Sequence, residues 1–222
     1  MLVRINRTNR RLVDGHLAAL GAERVFCSEF NYRGGAEIFG EGEGAEFVYQ
    51  IISGVVRTHK LLPDGRRQIK AFHLAGDMFG LENGTTHRFT AEAIVGTEVR
   101  IAGRRSLLEV TTHRGTEAAN LIALINQNLQ HAESHMLLLG RKTALERVAA
   151  FLLEMDERLA HPDVMILPMT RRDIADYLGL TIETISRALS TLRGEQILRF
   201  IGQTQREVVL LDRGRLATFD AQ

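Results

Sequence analysis

The chain of 222 residues contains one cysteine, Cys27. An intramolecular disulfide is thereby excluded, and so is an iron–sulfur cluster held by four cysteines of one chain. No run of about eighteen apolar residues and no signal-peptide pattern occurs, so a soluble cytoplasmic protein with no membrane partner is expected. Excess charge of either sign is also missing. The formal net charge is +1, and residues 141–222 carry twelve basic against twelve acidic side chains. Overall charge therefore gives no warrant for a nucleic-acid partner; only local clustering can. No nucleophile, base and oxyanion donor fall into one catalytic pattern, so an enzyme is not expected. His131, Glu133 and His135 read H-x-E-x-H rather than the H-E-x-x-H of zinc hydrolases, and are taken as polar-face residues of a helix. Gly40, Gly42 and Gly44 precede strand patterns rather than a helix, which makes them turn glycines and not a dinucleotide cradle.

What is present is concentrated between Thr170 and Arg193, TRRDIADYLGLTIETISRALSTLR. Ile174, Ala175 and Leu178 recur at helical spacing; Thr170 can cap this helix, and Asp173 suits its positive end. Gly179 stands where a chain leaving a helix needs a left-handed residue. Thr181 can cap a second helix, whose apolar stripe is Ile185, Ala188, Leu189 and Leu192. Two helices across a glycine turn predict a helix-turn-helix, with the second helix offered to a DNA major groove. Glu183 and Arg187, four apart, share the polar face of that helix with Ser186. On an arbitrary helix such a pair is an exposed salt bridge of a few tenths of a kcal/mol. At the start of a recognition helix the carboxylate can accept from a cytosine N4 amine, and the guanidinium can donate to guanine O6 and N7. From Arg187 to Arg206 four arginines (Arg187, Arg193, Arg199, Arg206) meet one acid, Glu195, which predicts a phosphate-facing edge.

Glu183-Thr184-Ile185-Ser186-Arg187, preceded by Tyr177-Leu178-Gly179-Leu180-Thr181, resembles the E-x-x-S-R recognition motif of the FNR/FixK branch of the CRP/FNR superfamily of transcription regulators. The cyclic-AMP-responsive branch has Arg before the Glu and Gly before the final Arg, where this chain has Ile182 and Ser186. The resemblance implies that Glu183, Ser186 and Arg187 read half-sites of the TTGAT type. Thr170, Thr181 and Arg193 would then contact phosphates. It also implies a homodimer on double-stranded DNA bearing a TTGAT-N4-ATCAA-type inverted repeat, acting mainly as an activator.

The expected fold class is α+β: an N-terminal jelly-roll β-barrel of the cyclic-nucleotide-binding type, a long dimerisation helix, and a C-terminal winged helix-turn-helix. Residues 1–115 are assigned to an N-terminal arm and the barrel. The arm (Arg4, Arg7, Arg10, Arg11) reads as a solvated terminus. Across 24–110, short runs such as Phe47–Ile52 and Val55–Thr58 are divided by glycine turns, and Pro63-Asp64-Gly65 marks a hairpin, as in a sandwich or jelly roll. Residues 116–140 repeat Leu121, Leu124, Ile125, Leu129, Ala132 and Met136 at three- and four-residue steps, more apolar stripe than one small domain needs. The resemblance makes these the dimer interface. Residues 141–222 hold the DNA-binding domain, with a helix from Ala144 to Leu159 and a wing hairpin from Ile201 to Leu211.

In the superfamily the barrel usually holds a pocket for an effector. Cyclic-AMP binders have Gly-Glu where this chain has Gly80-Leu81, and an Arg-Ser pair where Arg88 is followed by Phe89. Loss of both contacts, each about 1.5–3 kcal/mol, argues against a cyclic nucleotide. An FNR-type cluster fails for want of cysteines. Haem through His16, His59, His73 or His87 stays open as an alternative, an effector-gated sensor of the same superfamily, although a lone histidine is more often structural. No cofactor is therefore assigned. RNA polymerase is the further partner that activation implies. The matching turns are His161-Pro162-Asp163, which also breaks the preceding helix, and Pro63-Asp64 in the barrel hairpin.

Overall fold

The computed structural model of the protein describes residues 17, 19–20, 27–112 and 115–220. The arginines of the expected arm (Arg4, Arg7, Arg10, Arg11) and His16 lie outside the described residues. The chain divides into two compact units, Met1–Gln130 and His131–Gln222.

Among its described residues the first unit contains eight strands: β1 (Cys27–Tyr32), β2 (Glu37–Phe39), β3 (Phe47–Ser53), β4 (Val56–Leu61), β5 (Arg67–His73), β6 (Met78–Phe79), β7 (Thr90–Ala93) and β8 (Thr97–Gly103). They form two four-stranded antiparallel sheets, β1-β8-β3-β6 and β2-β7-β4-β5. Alternation along the strands explains how both faces of the first sheet are covered. Tyr49 and Ile51 of β3, Phe79 of β6 and Val99 of β8 point to one side, where they meet Phe39, Val56 and Ala91 of the other sheet. Val48, Met78 and Ala102 of the same three strands point to the opposite side, onto Leu17, Leu20, Leu107 and Leu124. A period of two places successive side chains on opposite faces, so one strand sequence serves two cores. The hairpin at Pro63-Asp64-Gly65 forms as the sequence predicts, with Leu62 N donating to the Arg66 carbonyl at 2.8 Å.

Two helices follow. Arg104–Thr112, α1, departs from the all-β reading of 24–110: it presents Leu107, 1% exposed, to the sheet, and one buried residue among the six side chains described from Arg104 to Glu109 carries no legible period. Gly115–Arg141, α2, is the long helix. It has two apolar faces rather than one. Leu124 is buried in the core beneath the first sheet and Leu121 packs against it. Ile125, Leu129 and Met136 are 50%, 54% and 65% exposed, in one row with exposed Ala132 and with Ile122, which the sequence reading omitted. Of the six residues assigned to a helix–helix interface, Leu121 and Leu124 thus serve the barrel. No helix among the described residues is long and apolar enough to cross a membrane.

In the second unit α3 (Ala144–Arg158), α4 (Arg171–Leu178), α5 (Ile182–Gly194) and α6 (Arg213–Asp220) surround a small sheet of β9 (Met165–Ile166), β10 (Leu198–Ile201) and β11 (Glu207–Leu210), ordered β10-β11-β9. Helix starts follow from caps. Thr143 with Glu146 and Thr170 with Asp173 each form a reciprocal capping box, and Thr181 Oγ1 accepts from Thr184 N at 3.2 Å. The wing hairpin, expected over Ile201 to Leu211, begins earlier at Leu198, because Leu198 and Val208 alternate into the core. β9, which adds a third strand to the wing, had no signal in two residues.

Candidate nucleic-acid interface

Gly179 ends α4 in the left-handed region (φ 62°), and its N–H returns to the Ala175 carbonyl. A residue with a Cβ is strained there by about 1–2 kcal/mol, which is why the turn takes glycine. The chain then re-enters α5 through Thr181. Ile185, Ala188, Leu189 and Leu192 are buried on one side of α5, leaving Glu183, Arg187, Ser190 and Thr191 exposed on the other.

The three assigned base-reading residues differ in how they are held. Glu183 stands in the first turn, where its own backbone N–H, the Thr181 hydroxyl and the charges of Arg187 and Arg172 hold its carboxyl below the usual range. It therefore faces solvent as an ionised acceptor. Arg187 is exposed, and among the described residues its guanidinium makes no hydrogen bond or ion pair. The salt bridge with Glu183 that four-residue spacing allows is not formed, so five donors remain free. Ser186 is half-buried, and its Oγ accepts from Nη1 of Arg171 at 2.9 Å. The same guanidinium donates through Nη2 to Oε1 of Gln205 in the wing turn and lies 5.9 Å from the Phe200 ring centroid. Arg171 was not singled out from sequence. Its partners lie 15 and 34 residues away, and no local spacing reports such pairs.

The assigned phosphate contacts also separate. Thr170 is committed to Asp173: its hydroxyl donates to Oδ2 at 2.7 Å and its N–H donates to the same oxygen at 2.9 Å. Its hydroxyl is therefore taken up in fixing α4. Thr181 is exposed, with its hydroxyl oxygen serving the Thr184 cap. Arg193, in the last turn of α5, is exposed, as are Arg199 in β10 and Arg206 beyond it. The one acid in this stretch, Glu195, pairs with Arg215 of α6 at 3.4 Å, and Arg215 also donates to its carbonyl at 3.0 Å. That pairing leaves the positive charge of the four arginines uncancelled.

The unit is braced by contacts that span long sequence separations. Arg147 donates to the carbonyls of Leu139, Lys142 and Leu178 at 2.9, 2.9 and 3.0 Å, so one cation serves the ends of α2 and α4, where carbonyls are left over. His135, expected on a polar face, is instead stacked on Tyr177 (centroids 4.1 Å), and its Nε2–H donates to the Tyr177 carbonyl at 2.9 Å. His131 stands 3.8 Å from Glu154. Asp156, 2% exposed, takes two bonds from Arg213 and lies 2.7 Å from His161 Nδ1. Arg213 also donates to the Pro162 carbonyl, which fixes the His161-Pro162-Asp163 turn while leaving His161 and Asp163 exposed. In the barrel hairpin Pro63 and Asp64 are exposed, and Asp64 accepts from the N–H and Nε of Arg66.

Inside the barrel, Gly80 (φ 83°) lies so close to the Tyr49 ring that a Cβ would stand 2.7 Å from it. Phe39, Tyr49, Phe79 and His87 form a continuous ring cluster, with His87 stacked on Phe39 at 3.6 Å. His87 is 2% exposed, and Glu82 Oε1, 3.9 Å from its Nδ1, is too far for a hydrogen bond. Glu82 is engaged by Arg88 at 2.9 Å. Among the described residues no three His, Cys, Asp or Glu converge as a metal site.

Residues 146–219 match the Crp-like helix-turn-helix domain, and residues 29–114 match the cyclic nucleotide-binding domain. The nitrogen fixation regulation protein FixK of Azorhizobium caulinodans is 45% identical over 212 residues, 92% of this chain and 82% of that protein. FixK of Rhizobium meliloti is 44% identical over 75% of this chain and 76% of its own length. Among solved structures, FixK2 from Bradyrhizobium japonicum superposes with a TM-score of 0.85 and 57% identity, over 89% of this chain and 99% of that one. The barrel-type sheets, the long helix and the winged helix-turn-helix, taken with these relatives, place the chain in the CRP/FNR family of DNA-binding transcription regulators, among its FixK-like members.

Proposed function

We propose that the protein is a homodimeric activator that reads an inverted repeat of the TTGAT-N4-ATCAA type and contacts RNA polymerase, without a cyclic nucleotide or an iron–sulfur cluster. The observation that carries this reading is the exposed, unpaired guanidinium of Arg187 one turn after the ionised Glu183, on the free face of α5. A donor fork and an acceptor at that spacing complement guanine and cytosine edges in a major groove. Ser186 completes the base-reading set. Phosphates are held by Arg193, Arg199, Arg206 and the capped start of α5 at Thr181, with Thr170 acting through the helix it caps.

Dimerisation is assigned to the exposed row Ile122, Ile125, Leu129, Ala132 and Met136. Its steps of three, four, three and four are the a/d repeat of a two-helix seam. A two-fold axis along that seam sets half-site centres about 10–10.5 bp apart. Functionally, 1–115 is assigned as arm and barrel, 116–140 as the dimer helix and 141–222 as the DNA reader. The turns at His161-Pro162-Asp163 and Pro63-Asp64 are assigned to RNA polymerase, because both are exposed and held in fixed shapes by Arg213 and by the Asp64–Arg66 pair. Leu81 in place of a carboxylate, the Tyr49 ring over Gly80 and the Glu82–Arg88 pair support an effector-free barrel.

The test is fluorescence anisotropy of the full chain on a TTGAT-N4-ATCAA duplex and on a scrambled duplex, at fixed salt without added ligand. The expected result is selective binding to the repeat. Equal affinity for both duplexes would overturn the reading.

A further inference from the structure

We propose that Arg171 is a positioning residue for sequence reading: it turns Ser186 into a hydrogen-bond donor and ties that choice to the wing. This rests on the base-reading role of α5 proposed above. A serine hydroxyl carries one donor and two acceptor sites, so by itself it can meet either kind of base edge. A guanidinium carries donors only. The 2.9 Å contact from Arg171 Nη1 to Ser186 Oγ therefore fills an acceptor site of the serine and cannot use its proton. Electron density drawn toward the cation also makes the O–H a stronger donor. What Ser186 has left to offer the groove is chiefly its proton. It then selects an acceptor edge, thymine O4 or a purine N7 or O6, against the cytosine N4 amine.

The other end of the same guanidinium explains why this setting is stable. Arg171 is the first residue of α4, directly after the Thr170 cap, so its backbone is fixed by the capping box. Its Nη2 is held by Gln205, a wing-turn residue with φ 54°, and its plane lies near the Phe200 ring of β10. A lysine could not reproduce this, since one ammonium lacks the planar fork that reaches both partners. The wing and the recognition helix thus share one cation, and a wing that carried Gln205 away from Arg171 would release the constraint on Ser186.

The experiment uses the full chain as wild type, Arg171→Ala, Arg171→Lys, Ser186→Ala and Arg171→Ala/Ser186→Ala. Each is titrated against duplexes in which every half-site base pair is replaced symmetrically, with thermal melts run alongside. Ser186→Ala should flatten the preference at one base pair, by about tenfold. Arg171→Ala should flatten the same pair, and the double variant should add little at that pair, because both changes remove one device. Arg171→Lys keeps the charge and the helix, so it carries the test if the alanine variant melts early; it too should lose preference at the Ser186 pair. If both Arg171 variants weaken every duplex by one common factor and keep that preference, Arg171 is a phosphate contact and the inference is overturned. A wild type that fails to discriminate any duplex overturns the base-reading assignment, and this inference with it.

Discussion

Arg57 and Arg100 in the barrel sheets are well buried and matched to carboxylates, Arg57 to Glu92 at 2.6 Å and Arg100 to Glu29 at 3.0 Å. Arg187, Arg193, Arg199 and Arg206 in the winged helix are exposed, and among the described residues their guanidinium groups meet no carboxylate. The contrast follows from solvation. A charge taken out of water must be paired, whereas an exposed one can stay single because water holds it. Paired arginines therefore belong to the fold, and single ones on a common element are available to a polyanion. Net charge conceals this, since both kinds count equally toward +1.

The same division between inward and outward use runs along α2, and it gives the largest expected effect. Leu129→Glu should produce monomers by sedimentation and reduce specific DNA binding on the order of a hundredfold or more, with little change in melting. Leu124→Glu should instead unfold the barrel, because it buries a charge in that unit's core. Dimers of Leu129→Glu would place the seam elsewhere. Next, Arg147→Ala removes three bonds to helix-end carbonyls and should cost about 3 kcal/mol in denaturant unfolding, against no measurable change for Arg193→Ala. On DNA the order reverses. Arg187→Ala should lose about 1–3 kcal/mol and its preference at one guanine, with folding unchanged. Arg193→Ala should weaken all duplexes alike and lower the salt slope by about one.

The smallest effect concerns pH. Burial holds the imidazoles of His87 and His135 below the ordinary histidine value. The unfolded chain then binds these protons more tightly than the folded one, so their contribution is complete above about pH 6.5 and is lost as pH falls below it. Melting temperature followed from about pH 8 to about pH 5.5 should decline in that window, and less steeply in His135→Gln. An unchanged slope would show that His135 does not titrate on unfolding.

Residues within four positions of one another were legible from sequence: the Thr170 and Thr181 caps, the Gly179 turn, the hairpin at Pro63-Asp64-Gly65, and the exposed Glu183/Arg187 face. Each depends on local geometry that spacing encodes. Arg171 with Gln205, and Asp156 with Arg213, were not legible, because they meet only when elements dock. On α2 the apolar repeat was visible, but two adjacent stripes overlap in a pattern of three- and four-residue steps. Only packing separates Leu121 and Leu124, which face the sheet, from Ile122 and Ile125, which do not.

The stack of His135 on Tyr177, together with the three carbonyls gathered by Arg147, has a mechanical meaning. The last turns of α2 and the helix that precedes the recognition helix are keyed to each other at two separate points. Two points of attachment resist rotation where one would swivel. Within this unit the last turns of α2 and α4 are therefore held at one fixed angle, and the tight Gly179 turn sets α5 against α4 in the same way.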